Sequence, residues 1–332
     1  MKEYLAKIAK KEALSEDEAG AAMGVIMDGQ ATPAQIGAFL LGLAVKGETE
    51  DEVVGFARTM RSKAVPLKSK GAVDTCGTGG DGAGTFNIST LASLVVAACG
   101  VPVAKHGNRA ASSNCGSADV LEALGVKIDP PVETVQRLLD EVGWTFLFAP
   151  AFHASTRHAV GPRKELGVRT AFNLLGPLTN PAHPEAQVVG VPRPELAPFM
   201  ARCLMRLGIK RAWVVHGSGL DEISMVGPTT VAAFDNGEVT TFTVEPAQLG
   251  LQCCVAEDLK GGDAARNAEI AREILAGGRG PKRDAVLLNA AAALVVARRA
   301  PDLLDGVRQA ATAIDDGRAA KLVDRLKEAS RA

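Results

Sequence analysis

The chain has 332 residues and a mass of 34.4 kDa, and with 47% hydrophobic and 23% charged residues it resembles an ordinary soluble globular protein. At roughly 100–200 residues per domain, this length fits one large domain or two moderate ones. Its 37 Lys and Arg residues against 38 Asp and Glu residues leave a net charge of −1, which argues against nucleic-acid or membrane-surface binding, because both require cationic surface.

Several features favour a cytoplasmic protein. No apolar stretch reaches the roughly 18–20 residues that a membrane-spanning helix needs. The N-terminus carries Lys2, Glu3 and Lys7 and has no apolar signal core. The six cysteines show no C-x-x-C spacing, and with five scattered histidines they form no zinc pattern. We therefore expect reduced, mostly buried thiols.

Three capping boxes in a row predict helices in the first 65 residues. In each box a Ser or Thr precedes a Glu or Gln by three positions, so that side chains satisfy the free N–H groups of the helix start. The pairs are Ser15 with Glu18, Thr32 with Gln35, and Thr49 with Glu52. Nothing in this part indicates catalysis, so we expect packing, a subunit contact or one wall of a site.

After Pro66, short apolar runs alternate with helical segments. The strand candidates are 72–74, 101–104, 146–148, 188–191, 212–215 and 231–234. The helix candidates are 89–99, a helix from Ser117, 132–142, 195–207 and 264–275. This alternation predicts a mainly parallel sheet covered on both faces. We expect an α/β protein with a small helical domain, 1–66 joined by part of 160–185, and a large α/β domain, 67–159 and 186–332.

The strongest indication of a site is the glycine-rich segment 74–90, between the first strand and the next helix. Its glycines are Gly77, Gly79, Gly80, Gly82 and Gly84. Glycine permits positive φ and lets backbone N–H groups approach a ligand, and the helix start adds further amides and the positive end of its dipole. We interpret the segment as an anion cradle for phosphates. No Gly-Lys-[Ser/Thr] follows, so it is not a P-loop, and Asp81 argues against a dinucleotide fingerprint.

A second polar loop, 105–119, follows the next strand. It should emerge at the same edge of the sheet, because ligands collect at the carboxyl ends of parallel strands. Its charged and hydrogen-bonding side chains are Lys105, Arg109, Asn108, Ser112, Ser113 and Ser117. Ser117 alone also suits a helix N-cap.

Two further segments carry charge. Asp221 and Glu222 follow the strand 212–215, and adjacent carboxylates at a strand end suit Mg²⁺, which takes one or two carboxylates and leaves its other positions to phosphates and water. In the segment 161–181, Arg163, Lys164 and Arg169 could hold a carboxylate, since Arg binds one bidentately. For Lys164 a solvated helix face is the simpler interpretation.

Together these motifs closely resemble the anthranilate phosphoribosyltransferase family over nearly the whole chain. The resembling segments are 34–40, 46–49, 77–90, 105–113, 116–119 and 169–181. The resemblance implies transfer of a phosphoribosyl group from phosphoribosyl pyrophosphate to the amine of anthranilate, with Mg²⁺, in the second step of the tryptophan branch. The products would be N-(5-phosphoribosyl)anthranilate and pyrophosphate. It also implies a cleft between two domains, a homodimer formed largely through the helical domain, and a possible separate anthranilate synthase partner.

The resemblance assigns a role to each matching residue. The donor would be held by Gly77, Gly80, Asp81, Thr85, Asn87, Ile88, Ser89, Thr90, Lys105, His106, Gly107, Asn108, Arg109, Ala110, Ala111, Ser112, Ser113 and Ser117. Anthranilate would meet Gly77, Asn108 and Arg163, and Mg²⁺ would be served by Ser89, Asp221 and Glu222. No general base is assigned, because the amine of anthranilate is already neutral at pH 7.

One segment, 152–158, departs from the family pattern. Ala154, Ser155 and Thr156 stand where the family has Pro, Ala and Met. This segment is expected near the acceptor pocket, so the departure bears on acceptor specificity. Two alternatives stay open: a pyrimidine nucleoside phosphorylase-like enzyme, against which the 105–109 loop and the Asp221-Glu222 pair argue, and a nucleic-acid-binding relative without transferase activity, against which the net charge argues.

Overall fold

The structure is a computed structural model that describes residues 1–110, 114–235 and 237–332. Four helices at the N-terminus stand beside a seven-stranded sheet that carries helices on both faces. Within these ranges, none of the helices combines the length and the apolar character that crossing a membrane requires. The α/β fold with a helical N-terminal part is the fold class predicted from the sequence.

The N-terminal part consists of four helices: α1 (Lys2–Ala9), α2 (Glu16–Met27), α3 (Pro33–Lys46) and α4 (Glu50–Ser62). All three predicted capping boxes form, at the starts of α2, α3 and α4. In each one the N-cap hydroxyl accepts a hydrogen bond from a backbone N–H of the first turn, while the Glu or Gln accepts one from the N-cap N–H. The local sequence therefore sets where these helices begin.

The sheet has the order β3-β2-β1-β4-β5-β6-β7. Its strands are β1 (Val73–Gly77), β2 (Val103–Gly107), β3 (Trp144–Phe148), β4 (Ala186–Gly190), β5 (Arg211–Gly217), β6 (Thr229–Asp235) and β7 (Thr240–Val244). The pairs within β3-β2-β1-β4-β5 are parallel, and β6 and β7 add antiparallel neighbours. All six predicted strands are present. The edge strand β7 escaped prediction because it is mostly exposed and three of its five residues are Thr, so it shows no apolar run.

The helices that follow β1 cover the sheet. They are α5 (Ile88–Ala98), α6 (Ser117–Ala123), α7 (Val132–Arg137), α8 (Ala149–Phe152), α9 (Arg157–Leu166), α10 (Phe172–Leu178), α11 (Leu196–Arg206), α12 (Ala264–Leu275), α13 (Pro281–Val296), α14 (Leu303–Asp315) and α15 (Arg318–Ala329). The predicted helix at 132–142 changes from α7 into a π-helical turn at Leu138–Val142. Nearly every residue of α13 is buried, so it lacks the one-sided apolar stripe that reveals a helix in a sequence.

Alternate residues of the strands point into two different cores. Val188 and Val215 belong to the core that packs under α5 and α13. Val189 and Val214 point to the opposite face, into a core shared with the N-terminal helices. α9 packs on α3 and α10 contacts α4, so the chain between β3 and β4 touches the N-terminal helices again. The residue ranges proposed for the two domains stay a prediction.

Of the three Glu or Gln residues in the capping boxes, Glu52 should contribute most to the stability of the fold. It is fully buried, and it accepts hydrogen bonds of 2.9 Å from the N–H of Leu14, the N–H of Thr49 and Nζ of Lys46. We expect Glu52→Ala to lower the free energy of unfolding by about 3–5 kcal/mol, because Lys46 and two N–H groups lose their partner. The matched variant Glu18→Ala, in the more exposed box of α2, should lower the free energy of unfolding much less, because solvent can replace the lost partner. Denaturant unfolding of both variants measures this, and equal losses would contradict the assignment.

Candidate active site

The candidate site lies where the sheet reverses its order of connection. The chain runs from β1 outward to β2 and β3 on one side, then returns to place β4 on the other side of β1. The last residues of these two strands, Gly77 and Gly190, are paired neighbours. In open parallel sheets, ligands bind in the crevice at such a point, beyond the carboxyl ends of the strands.

The Asp221-Glu222 turn is seated directly on these two strand ends. A Cβ on Gly77 would lie 2.2 Å from Oδ2 of Asp221, and a Cβ on Gly190 would lie 1.6 Å from the carbonyl oxygen of Asp221. Only glycine therefore permits this approach. Asp221 Oδ2 accepts a hydrogen bond of 2.8 Å from the N–H of Gly79, and Glu222 Oε1 accepts one of 3.1 Å from the N–H of Ser89. The fold thus brings together the turn and the glycine-rich segment, which are far apart in the chain.

Asn289 holds this turn in place, although the sequence analysis did not identify it as a site residue. Its side-chain oxygen accepts a hydrogen bond of 2.9 Å from the N–H of Ile223, and its amide donates one of 2.9 Å to the carbonyl of the same residue. Asn289 is the one uncharged polar residue in the otherwise apolar run 285–296 of α13. A lone Asn in such an apolar run is the sequence feature that could have identified it.

The outer part of the glycine-rich segment is held by the chain at 259–262. The N–H of Phe86 donates to the carbonyl of Leu259 at 3.1 Å, and Thr85 forms a bridge with Lys260. The side chain of Asn87 accepts a 2.9 Å hydrogen bond from the amide of Asn267, a second residue that sequence reasoning missed. The side chains of Ile88 and Thr90 are buried in the core, so only their backbone can serve a ligand.

Lys105 and His106 are neighbours on β2 and point to opposite faces of the sheet. Lys105 is buried and reaches the carbonyl of Thr75 and, at 3.5 Å, the hydroxyl of Ser89. Burial lowers the pKa of the Lys105 ammonium, while the nearby carboxylates of Asp74 and Glu222 oppose that shift. Both residues were expected in the donor site; the side chain of Lys105 lies beneath the glycine-rich segment, and that of His106 does not.

His106 instead faces a second histidine, His153. The two ring centroids are 5.2 Å apart, and Nδ1 of His106 lies 3.1 Å from the carbonyl oxygen of Gly176. Burial lowers the pKa of His106 to about 3 and that of His153 to about 4. Both imidazoles are therefore neutral at pH 7, and in both the Nε2 atom is buried without a hydrogen-bond partner among the described residues.

The second polar loop turns its charge toward α6. Arg109 pairs with Asp119 at 3.1 Å and with Glu122 at 2.9 Å, and its guanidinium lies 5.8 Å from the centre of the Phe148 ring. Asp119 also accepts hydrogen bonds from the N–H groups of Ala110 and Gly116. The carbonyl of Asn108 accepts a hydrogen bond of 3.2 Å from the Ser117 hydroxyl, which lies against Gly107. Ala111, Ser112 and Ser113 lie outside the described residues.

Of the three candidate cations in the segment 161–181, Arg163 and Arg169 contact other residues, whereas Lys164 faces solvent. Arg163, on α9, is half-buried and lies 4.9 Å from the centre of the Phe172 ring. Burial lowers its pKa, and no carboxylate of the described ranges forms an ion pair with it. Arg169, after α9, donates a 3.1 Å hydrogen bond to the carbonyl of Gly79. Lys164 is exposed, as expected.

The carboxylates at the crevice fit a divalent cation. Burial raises the pKa of Asp221, and the neighbouring Asp81 raises it further. Burial also raises the pKa of Glu222; the charge of Asp221 adds to that shift, and Lys105 opposes it. Such electrostatic cost is relieved by a cation. Across the described part of the chain, no three His, Cys, Asp or Glu side chains are arranged to ligate a metal by themselves. Mg²⁺ takes one or two carboxylates from a protein and leaves its other positions to phosphates and water.

The fold and the crevice define a phosphate-binding α/β transferase with a helical accessory domain. Consistently, residues 69–320 match the family model "Glycosyl transferase family, a/b domain", and residues 2–64 match its "helical bundle domain". Anthranilate phosphoribosyltransferase from Moorella thermoacetica is 55% identical over 323 residues, 96% of this chain and 95% of the relative. The enzyme from Pelotomaculum thermopropionicum is 53% identical, over 99% and 96% of the two chains. The chain belongs to the anthranilate phosphoribosyltransferase family.

Solved structures agree. The anthranilate phosphoribosyltransferase of Thermus thermophilus matches with a TM-score of 0.94 and 45% identity, over 99% of both chains. The Saccharomyces cerevisiae enzyme in complex with phosphoribosyl pyrophosphate and Mg matches with a TM-score of 0.91 and 28% identity, over 99% of this chain and 97% of that one.

The raised pKa of Asp221 has a consequence for stability. A carboxyl whose pKa is higher in the folded than in the unfolded protein stabilises the fold below the unfolded value near 4, and this stability is lost as the pH rises through the folded pKa. Without Mg²⁺, Asp221→Asn should therefore raise the free energy of unfolding by roughly 1–3 kcal/mol at pH 8 and leave it unchanged near pH 4. Urea unfolding across this pH range, with the exposed Asp129→Asn as control, measures the difference. A loss of stability at pH 8 would show that the Asp221 charge is already compensated.

Proposed function

We propose that this chain transfers the phosphoribosyl group of phosphoribosyl pyrophosphate to the amine of anthranilate. The observation that carries the proposal is the meeting of the glycine-rich segment, Lys105 and the Asp221-Glu222 turn at the ends of β1 and β4. An amide-rich loop, a buried cation and a pair of carboxylates in one crevice suit a pyrophosphorylated sugar with its metal. The complex of the yeast relative with phosphoribosyl pyrophosphate and Mg supports this choice.

The donor would lie along the glycine-rich segment and the start of α5. Backbone N–H groups there are directed by the glycines and by the helix dipole, which favours the phosphates. In the second loop, Asn108, whose carbonyl is held by the Ser117 hydroxyl, and the backbone around Gly107 would complete the pocket. Arg109 takes part in the donor site only after exchanging its ion pairs with Asp119 and Glu122 for phosphate.

Ser89, Asp221 and Glu222 would hold Mg²⁺. When bound, the ion would neutralise charge that develops on the departing pyrophosphate. From the chain itself, Lys105 and those loop amides that are not already bonded to Asp221 and Glu222 would stabilise the same charge. As the C–O bond to pyrophosphate breaks, the sugar carbon becomes oxocarbenium-like. The anthranilate nitrogen forms the new C–N bond and loses a proton, which the released pyrophosphate can accept. Positioning therefore contributes most.

Arg163 is the proposed partner of the anthranilate carboxylate. Its guanidinium is partly desolvated and lies over the Phe172 ring. A carboxylate would therefore find a preorganised cation that has no ion pair among the described residues. His106 and His153 stay neutral at pH 7, and with pKa values this low they are weak bases. No general base is required, because the aromatic amine is already neutral. Closure of the helical part over the crevice would exclude water, which otherwise hydrolyses the donor.

The relatives named above are anthranilate phosphoribosyltransferases, which supports this function and neither of the two alternatives. We place the reaction in the cytoplasm, which fits the six free cysteines. A separate anthranilate synthase partner stays a prediction. The segment 152–158 brings His153 beside His106, and its departure from the family pattern leaves the acceptor range to be measured.

A homodimer through the helical part is the proposed assembly. Leu41 and Val45 lie one helical turn apart on α3 and are 44% and 71% exposed, and Val160 of α9, which packs on α3, is 57% exposed. Large exposed apolar side chains on one pair of packed helices are typical of a subunit contact.

The transfer itself is tested by mixing the purified protein with phosphoribosyl pyrophosphate, Mg²⁺ and anthranilate and following the fluorescence of anthranilate. We expect a loss of fluorescence that requires all three components and stops when Mg²⁺ is chelated. Binding of the donor without loss of anthranilate would indicate a different acceptor. Failure to bind the donor would overturn the proposed function.

Replacement of Arg163 tests the acceptor site. We expect Arg163→Ala to raise the KM for anthranilate at least about tenfold, because a charge-assisted hydrogen bond to its carboxylate is lost, and to change the KM for the donor less than about twofold. Lys164→Ala removes the same charge from the exposed neighbouring position and should leave both constants near those of the unmodified enzyme. Equal kinetics of the two variants would remove Arg163 from the site.

The dimer is tested by sedimentation equilibrium. The unmodified protein should show twice the chain mass of 34.4 kDa. Val45→Glu should shift the equilibrium toward the monomer, because a charge would be desolvated in the contact. Val255→Glu is the matched control, since Val255 is 58% exposed in the loop before α12. A monomeric unmodified protein, or equal behaviour of the two variants, would refute this contact.

A further inference from the structure

Arg169 reaches the tip of the glycine-rich segment from the chain that follows α9. Its Nη1 donates a 3.1 Å hydrogen bond to the carbonyl oxygen of Gly79. A Cβ on Gly80 would lie 1.5 Å from the same nitrogen and 2.8 Å from the guanidinium carbon, so the guanidinium covers Gly80. No ion pair links Arg169 to a carboxylate within the described ranges. Among the described residues, the side chain of Arg169 therefore makes its polar contact with the glycine-rich segment.

This contact fixes the orientation of one peptide group. Gly79 and Gly80 have φ angles of 68° and 82°, and two left-handed glycines in succession leave the peptide between them free to rotate at little cost. Asp221 holds the peptide before Gly79 through its N–H, and Arg169 holds the peptide after it through its carbonyl. In a planar trans peptide the C=O and N–H groups point in opposite directions. Holding the carbonyl of Gly79 therefore directs the N–H of Gly80 away from Arg169.

The backbone of Arg169 is itself well anchored. Gly167 ends α9 in a left-handed conformation, and the N–H of Thr170 donates a 2.9 Å hydrogen bond to the side chain of Asn173 in α10. Arg163 lies on the same segment, on α9, which packs against α3. The hydrogen bond between Arg169 and Gly79 thus joins the glycine-rich segment to the part of the chain that carries Arg163, the residue proposed to bind anthranilate.

We propose that Arg169 is a positioning residue for the donor: it holds the Gly79–Gly80 peptide so that the N–H of Gly80 stays available to the pyrophosphate group. The proposal rests on the donor site of the proposed function. It assigns to Arg169 an action through the loop backbone, and it distinguishes Arg169 from Arg163, whose effect is on the acceptor.

The first test measures donor affinity by calorimetric titration of phosphoribosyl pyrophosphate with Mg²⁺ in the absence of anthranilate. We expect Arg169→Ala to weaken binding about tenfold or more, the size typical of a hydrogen bond from a charged group. Arg169→Lys should restore part of the affinity. Lys164→Ala, which removes the same charge from the same segment without touching the loop, is the control and should bind as the unmodified protein does.

A second readout is independent of any ligand. Hydrogen exchange of the backbone at 77–84 should become faster in Arg169→Ala than in the unmodified protein or in Lys164→Ala, because one peptide of the loop loses its anchor. Thermal unfolding of Arg169→Ala should be close to that of the unmodified protein, since Arg169 is exposed.

A double-mutant cycle separates the contact from backbone strain. In Gly80→Ala, the new Cβ adds left-handed strain and displaces Arg169. In Gly82→Ala, where φ is 71°, no described residue beyond the chain neighbours has an atom within 4 Å of the Cβ position, so the new Cβ adds strain alone. We expect Gly80→Ala to weaken donor binding more than Gly82→Ala in the unmodified background and about equally in the Arg169→Ala background.

The outcomes separate this proposal from the proposed function. Donor binding by the unmodified protein together with unchanged affinity and exchange in Arg169→Ala would overturn the role of Arg169 and leave the donor site intact. Equal effects of Gly80→Ala in both backgrounds would do the same. Absence of donor binding by the unmodified protein would overturn both.

Discussion

The site depends on the close contact between the Asp221 turn and the ends of two neighbouring strands. Gly77 and Gly190 leave no side chain between the sheet and the turn, and the space that their Cβ atoms would take is filled by Asp221 itself. The contact brings the carboxylates of Asp221 and Glu222 to the N–H groups of Gly79 and Ser89. Without it, the glycine-rich segment would lose both of its inner anchors.

This arrangement places two buried carboxylates beneath the glycine-rich segment, whose proposed ligand is an anion. Burial raises the pKa values of both carboxyl groups; the neighbouring Asp81 raises that of Asp221 further, and the charge of Asp221 raises that of Glu222, where Lys105 opposes the shift. If these carboxylates hold Mg²⁺, as proposed, this electrostatic cost results from having them in position before the substrate arrives. A divalent cation and a polyanionic donor would compensate each other there, so affinity for the one should depend on the other.

Amide side chains hold the loops of the site. Asn289 fixes the backbone of Ile223, and Asn267 binds both the side chain of Asn87 and the N–H of Gly262. Because an amide carries a donor and an acceptor but no charge, it can satisfy buried backbone groups without adding to the electrostatic cost of the carboxylates. Arg169 completes this framework from the other side of the crevice.

The sequence by itself determined the local features: the capping boxes that begin α2, α3 and α4, the alternation that predicts a mainly parallel sheet, and the residue types of the polar loops. These depend on neighbours within a few positions, where hydrogen-bond geometry and periodicity are decisive. Only the tertiary structure decided which polar residues meet. It turned Lys105 toward Ser89 but His106 toward His153, paired Arg109 with Asp119, and brought Arg169 to Gly79 from 90 positions away. It also formed the edge strand β7 and buried α13 on all sides, since strand pairing and burial from several directions leave no short-range periodic signal.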